Sequence, residues 1–234
     1  ELVYQTLAFE NPFRAPRQLW YLPWAEIYHP GELAAILAEF PPDILTSPDY
    51  LKLPRKAVGN PTEPGAYIDD WGCTFINLQR GVIGEVKEPL IQDWTADVSK
   101  VRIPREWLSV DIDAVNRWCD ASDAFIIAGC CPRPFEQLQF IRGTAELYMD
   151  LLFEPAPLFA FVREMHRFYC ELLTLWAHTR VDALMIMDDW GSQSSLLIDP
   201  QLWRRIFKPL YRDYIQIAHN AGKKLFMHSD GYIL

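Results

Sequence analysis

Two stretches near the end of the chain carry the residues best suited to chemistry. Val181-Asp182-Ala183-Leu184-Met185-Ile186-Met187-Asp188-Asp189 is an apolar run that stops at two acids, and Lys224-Leu225-Phe226-Met227-His228-Ser229-Asp230-Gly231 ends in a histidine and a further acid. Strand side chains alternate faces, so Met185, Met187 and Asp189 share one face, and Phe226, His228 and Asp230 share one face of the second stretch. Adjacent strands lie about 4.8 Å apart, which lets Asp189, His228 and Asp230 converge on one ion or one substrate group. An imidazole with carboxylates is a ligand set for zinc or another divalent ion. The same trio suits general acid–base work, because a carboxylate beside a histidine tunes it for proton transfer. The structural alternative is that Asp188 and Asp189 cap the loop at Trp190-Gly191-Ser192 and His228 is a hydrogen-bonded core residue.

The segments around these residues alternate between strand and helix patterns. Ala124 to Gly129 is a continuous apolar run of the buried-strand kind. Phe135 to Leu152 and Pro157 to His178 have helical spacing, the latter with Leu158, Phe161, Val162, Met165, Phe168, Tyr169, Leu172 and Leu173 on one broad face. Asp199-Pro200 is an N-cap followed by proline at the first helical position. Pro209 splits or kinks the helix it enters, and Gly222 stops it. Strand–helix–strand–helix–strand implies a parallel sheet with crossovers, and in such folds the loops at the carboxyl ends of the strands line the site. The expected class is α/β, a (β/α)8 TIM-type barrel. An open doubly wound sheet is the alternative, although no Gly-x-Gly-x-x-Gly turn follows any strand.

Further upstream the pattern predicts a short helix over Val3–Phe9, a first strand over Gln18–Leu22, a helix over Gly31–Phe40 and an extended piece at Asp43-Ile44-Leu45. Residues 46–110 are irregular, with strand-like runs at Ala66–Ile68 and Thr74–Leu78, and read as an inserted hairpin layer within a single domain spanning 1–234. Asp111 caps a helix running to Cys119.

Half of the 234 residues are hydrophobic and 14% are aromatic, enough for a sizeable core. A formal net charge of −9 argues against nucleic acid and anionic membrane surfaces as partners. No apolar run reaches the roughly 20 residues of a membrane span. Five cysteines, with no Cys-x-x-Cys, fit a reduced, cytoplasmic protein. Among other candidates, Asp43 is either a substrate-facing acid or a turn residue. Tyr67-Ile68-Asp69-Asp70-Trp71-Gly72 is either a lid or an ordinary turn. Cys130-Cys131 fits buried free thiols better than a nucleophile or ligand. Arg133 and Arg142 either hold an anionic group or are solvated; the tryptophans are mostly core or wall, with Trp20, Trp24, Trp71 and Trp190 near mouth loops where they can stack on a flat ligand.

At these residues the chain resembles the uroporphyrinogen decarboxylase superfamily, which joins the haem-pathway decarboxylase to corrinoid-dependent methyltransferases. The likeness runs in order through Arg14–Trp20, Phe40-Pro41-Pro42-Asp43-Ile44-Leu45, Phe135–Gly143, Asp188–Gln193, Asp199-Pro200, Lys208–Tyr211 and His228-Ser229-Asp230-Gly231. It implies a (β/α)8 barrel whose last strands lie beyond Leu234. It also implies that Asp43 stands at the decarboxylase's key aspartate, and that Arg17 is the one retained arginine of an Arg-Gln-Ala-Gly-Arg motif, here Arg17-Gln18-Leu19-Trp20-Tyr21. The methyltransferase branch carries a His-x-Cys zinc pair where this chain has His228-Ser229-Asp230, so a hard carboxylate replaces a soft thiolate. The resemblance therefore favours methyl transfer between a small substrate and a corrinoid supplied by a partner protein, with a divalent metal, zinc first, on Asp189, His228 and Asp230. Porphyrinogen decarboxylation is the alternative, and a non-catalytic tetrapyrrole-binding or corrinoid-docking protein is the second.

Overall fold

The computed structural model describes residues 1–233. In chain order the elements are α1 (Leu2–Leu7), α2 (Pro23–Tyr28), α3 (Pro30–Glu39), β1 (Ile44–Thr46), β2 (Gly65–Ile68), β3 (Thr74–Asn77), β4 (Glu85–Val86), α4 (Trp94–Asp97), α5 (Ile112–Asp120), β5 (Phe125–Ile127), α6 (Pro134–Arg142), α7 (Thr144–Phe153), α8 (Ala156–Ala177), β6 (Ala183–Met187), α9 (Pro200–Ile206), α10 (Lys208–Asn220) and β7 (Lys224–His228). Strands β1, β5, β6 and β7 form a parallel sheet in that order, and β2, β3 and β4 form an antiparallel layer. The chain is thus α/β, and the antiparallel strands β2, β3 and β4 fall within residues 46–110. No helix is long and apolar enough to cross a membrane among the described residues.

Alternation along β6 divides the core. Leu184 and Ile186 are sealed in the larger cluster with the apolar face of α8, including Met165, Phe168, Leu172 and Leu173. Met185 points the other way, into a small cluster with Val3, Phe125, Ile127 and Ala183, against which Met187 and Phe226 pack. The face that continues to Asp189 and His228 is therefore the one away from α8.

Three segments depart from the sequence pattern. Gln18–Leu22 forms no strand: it lies between Pro16 and Pro23, and Trp20 and Leu22 are half-exposed. Trp20 instead packs its ring on His228, at the carboxyl end of β7. The helix expected over Phe135–Leu152 is two helices, because Gly143 takes φ +84° between α6 and α7. The first helix ends at Leu7, and Phe9 takes φ +58° beyond it. The remaining punctuation acts as read. Asp111 and Asp199 each accept backbone N–H bonds at a helix start, and Phe207 separates α9 from α10 just before Pro209.

Candidate functional site

The register of β6 on β7 builds the site. Met187 pairs with His228, so each chain leaves its strand at the same level of the sheet. His228 Nε2 lies 3.8 Å from Asp189 Oδ1 and 3.4 Å from Asp230 Oδ1. One ligand atom from each of the three residues falls within 4.8 Å of the others. The Asp230 backbone N–H donates to Asp189 Oδ1 at 2.8 Å, which fixes that carboxylate's orientation. The Trp20 ring packs on the His228 imidazole with centroids 4.8 Å apart.

The loops leaving the two strands are laced together. Gly191 N–H donates to Asp230 O at 3.2 Å, Tyr232 N–H to Ser192 O at 2.8 Å, and Trp190 N–H to Ser229 Oγ at 3.0 Å. A Cβ on Gly191 would collide with the Gly231–Tyr232 backbone, and one on Gly231, at φ +80°, would collide with Gly191. Two glycines at one crossing let both backbones approach and hold the acid–histidine pair in register.

Asp188 and Asp189 do different work because they point to opposite faces. Asp188 is fully buried and accepts from Phe135 N–H at 3.0 Å, from Glu136 N–H at 2.8 Å and from the Tyr211 hydroxyl. It ties the start of α6 to the end of β6, rather than capping its own loop. Burial pushes its carboxyl up to about 8, against the pull of the Tyr211 and backbone donors.

That tie sets the place of a residue sequence reasoning did not select. Glu136, in the first turn of α6, has a buried Oε2 with no hydrogen-bond partner, 3.5 Å from Arg133 Nη1. Burial raises its carboxyl, Arg133 pulls it back, and repulsion from Asp189 and Asp230 raises it further while His228 lowers it. Asp189, His228 and Asp230 are thus among its electrostatic neighbours, which makes it a third carboxylate near the centre. The available signal was a proline-started helix directly after the Phe125–Ile127 strand, whose first turn must lie at the carboxyl end of the sheet. An imidazole, two carboxylates and a third carboxylate nearby are a donor set that fits a hard or borderline divalent cation.

The other sequence-selected residues lie elsewhere. Asp43 precedes β1 at the amino end of the sheet and is clamped by Arg14 Nη1 and Nη2 at 2.6 and 2.7 Å and by Arg17 N–H at 2.8 Å. The Arg14 guanidinium holds its carboxyl below the usual range. The structure does not bring Asp43 to the Asp189–His228–Asp230 trio, which stands at the opposite end of the strands. Arg17 places its guanidinium over Phe40, 5.1 Å from the ring centroid, rather than near His228. Arg142 binds Asp150 at 2.6 Å and the carbonyls of Ile91 and Gln92, which pins the end of α6. Trp190 is 3% exposed, stacked on Phe135 at 4.0 Å with its Nε1 donating to Tyr211, so its ring faces are core. Cys130 and Cys131 are free thiols pushed up by burial. The Asp69-Asp70 pair forms a turn: Asp69 Oδ1 accepts from the N–H groups of Trp71 and Cys73.

No family model matches the sequence, and no curated protein matches it. Among solved structures the chain is similar to a methyltransferase from Methanosarcina mazei, with 17% identity and a TM-score of 0.45 over 69% of this chain and 47% of that one. The chain thus spans about half the length of that structure.

Proposed function

We propose that this chain is an enzyme that binds a divalent metal ion, zinc first, through Asp189, His228 and Asp230, and that it transfers a methyl group between a small substrate and a corrinoid carried by a partner protein. The observation that carries the metal reading is the convergence of three ligand atoms within 4.8 Å at the carboxyl end of two adjacent parallel strands. The methyl-transfer reading rests on the ordered motifs shared with the uroporphyrinogen decarboxylase superfamily. The barrel is the architecture proposed with it. It is favoured by a parallel sheet whose strand order follows the chain without the reversal of a doubly wound fold.

A bound ion of this kind supplies Lewis acidity toward the substrate's heteroatom. The chain's own residues do the rest. Trp20 restricts the imidazole of His228, the Asp230 N–H orients Asp189, and Glu136 offers an acceptor oxygen that has no hydrogen-bond partner. Replacing thiolate by carboxylate at Asp230 hardens the ligand set, so the preferred substrate is an oxygen-borne methyl donor rather than a thiol.

The test loads the protein with zinc and supplies cob(I)alamin with a methyl ether such as 4-methoxybenzoate. Methylcob(III)alamin formed in step with the demethylated phenol, and lost in His228→Ala, supports the reading. Metal binding without any methyl transfer removes the corrinoid part of the proposal, and the absence of metal binding removes both parts.

A further inference from the structure

A second feature lies apart from the metal ligands. A cavity of about 390 Å³ opens between the antiparallel layer and α6, at the carboxyl end of β5. Its wall follows from strand alternation. Tyr67 and Asp69 share one face of β2 and its exit, and Tyr67 pairs directly with Phe75 on β3. Phe140, on α6, meets Phe75 edge-on at 5.1 Å, and Tyr67 and Phe75 have centroids 6.1 Å apart. Three rings from two strands and a helix therefore surround one space.

The charges around that space do not balance. Arg55 is consumed by Asp70 at 2.7 Å and Asp49 at 2.6 Å. Its guanidinium already sits 5.0 Å from the Trp107 ring centroid, so the wall accommodates a cation on an aromatic face. Arg133 is offset by Glu136. Asp69 has no ion-pair partner among the described residues, and burial without one pushes its carboxyl up to about 6. The cavity thus presents aromatic faces and a net negative charge, the combination that recognises alkylammonium groups.

We propose that this cavity binds a small quaternary-ammonium compound, its cationic head against Tyr67, Phe75 and Phe140 and its charge answered by Asp69. The proposal does not rest on metal binding or on the methyl-transfer reading, so the two fail separately.

The test is calorimetric titration of metal-free protein with choline and with its uncharged carbon isostere, 3,3-dimethyl-1-butanol. Saturable choline binding at least tenfold tighter than the isostere is expected. Asp69→Asn keeps the oxygen that accepts the turn's N–H bonds and removes the charge, and should weaken choline at least tenfold while leaving thermal unfolding cooperative. Phe140→Leu keeps apolar bulk and removes a ring face, and should weaken choline severalfold with little effect on the isostere. No saturable heat with choline, equal affinity for the two probes, or choline affinity unchanged in both variants overturns the proposal.

Discussion

The adjacent acids Asp188 and Asp189 show how one peptide unit can separate structure from chemistry. Alternation sends Asp188 into the core, where it joins α6 to β6, and sends Asp189 to His228. Loss of the buried carboxylate strands the N–H groups of Phe135 and Glu136, so Asp188→Ala should cost about 3 kcal/mol of unfolding free energy in urea titrations. Asp189→Ala, partly exposed, should cost little stability and act on metal affinity instead. Equal destabilisation by the two would refute this division. Glu136→Gln keeps size and removes the charge facing the centre. It should weaken zinc binding by about tenfold without changing the unfolding midpoint, as read by competition with a chromogenic chelator.

At the scale of elements, the β6–β7 pair and its two exit loops form one unit. Gly191→Ala cannot be accommodated without separating the two backbones. It should therefore weaken zinc binding sharply while leaving most helical circular dichroism in place; unchanged affinity would mean that the loop crossing does not hold the ligands. The same unit explains what the sequence made legible. Apolar runs ending in acids and a histidine identified two strands, their shared face and their juxtaposition, because local alternation needs no knowledge of the rest of the fold. Glu136 was legible only in part: the proline-started helix puts it at the carboxyl end of the sheet, but its place beside the trio depends on Asp188, 52 residues away, accepting the Glu136 N–H. The motif around Asp43 likewise gave no sign of its pairing with Arg14, 29 residues earlier. The Gln18–Leu22 run satisfied strand propensity yet found no neighbouring strand, and serves to place Trp20 on His228.

Across the whole molecule, burial of acids sets the response to pH. The carboxyls of Asp69 and Asp188 are raised to about 6 and about 8, both chiefly by desolvation. A raised folded-state value means the folded chain holds its proton more tightly than the unfolded one. The resulting stabilisation is complete below the unfolded value near 4 and is lost as pH rises through 6 and then 8. Asp43, Asp70 and Asp97 are lowered and lose their contributions only under acid conditions below that window. Stability measured by denaturant unfolding should therefore fall between pH 5 and pH 8, and Asp69→Asn should flatten the first part of that fall. A profile that rises across the window would contradict the assignment. The larger apolar cluster around α8 is sealed from this titration, so the transition should remain cooperative throughout.

The central claim is that Asp189, His228 and Asp230 form one metal centre, and stoichiometric cobalt(II) substitution tests it most directly. One cobalt ion per chain is expected, with a visible absorption spectrum of nitrogen–oxygen ligation that disappears in both His228→Ala and Asp230→Ala. A spectrum unchanged in those variants, or no bound cobalt in the folded wild-type chain, would contradict it.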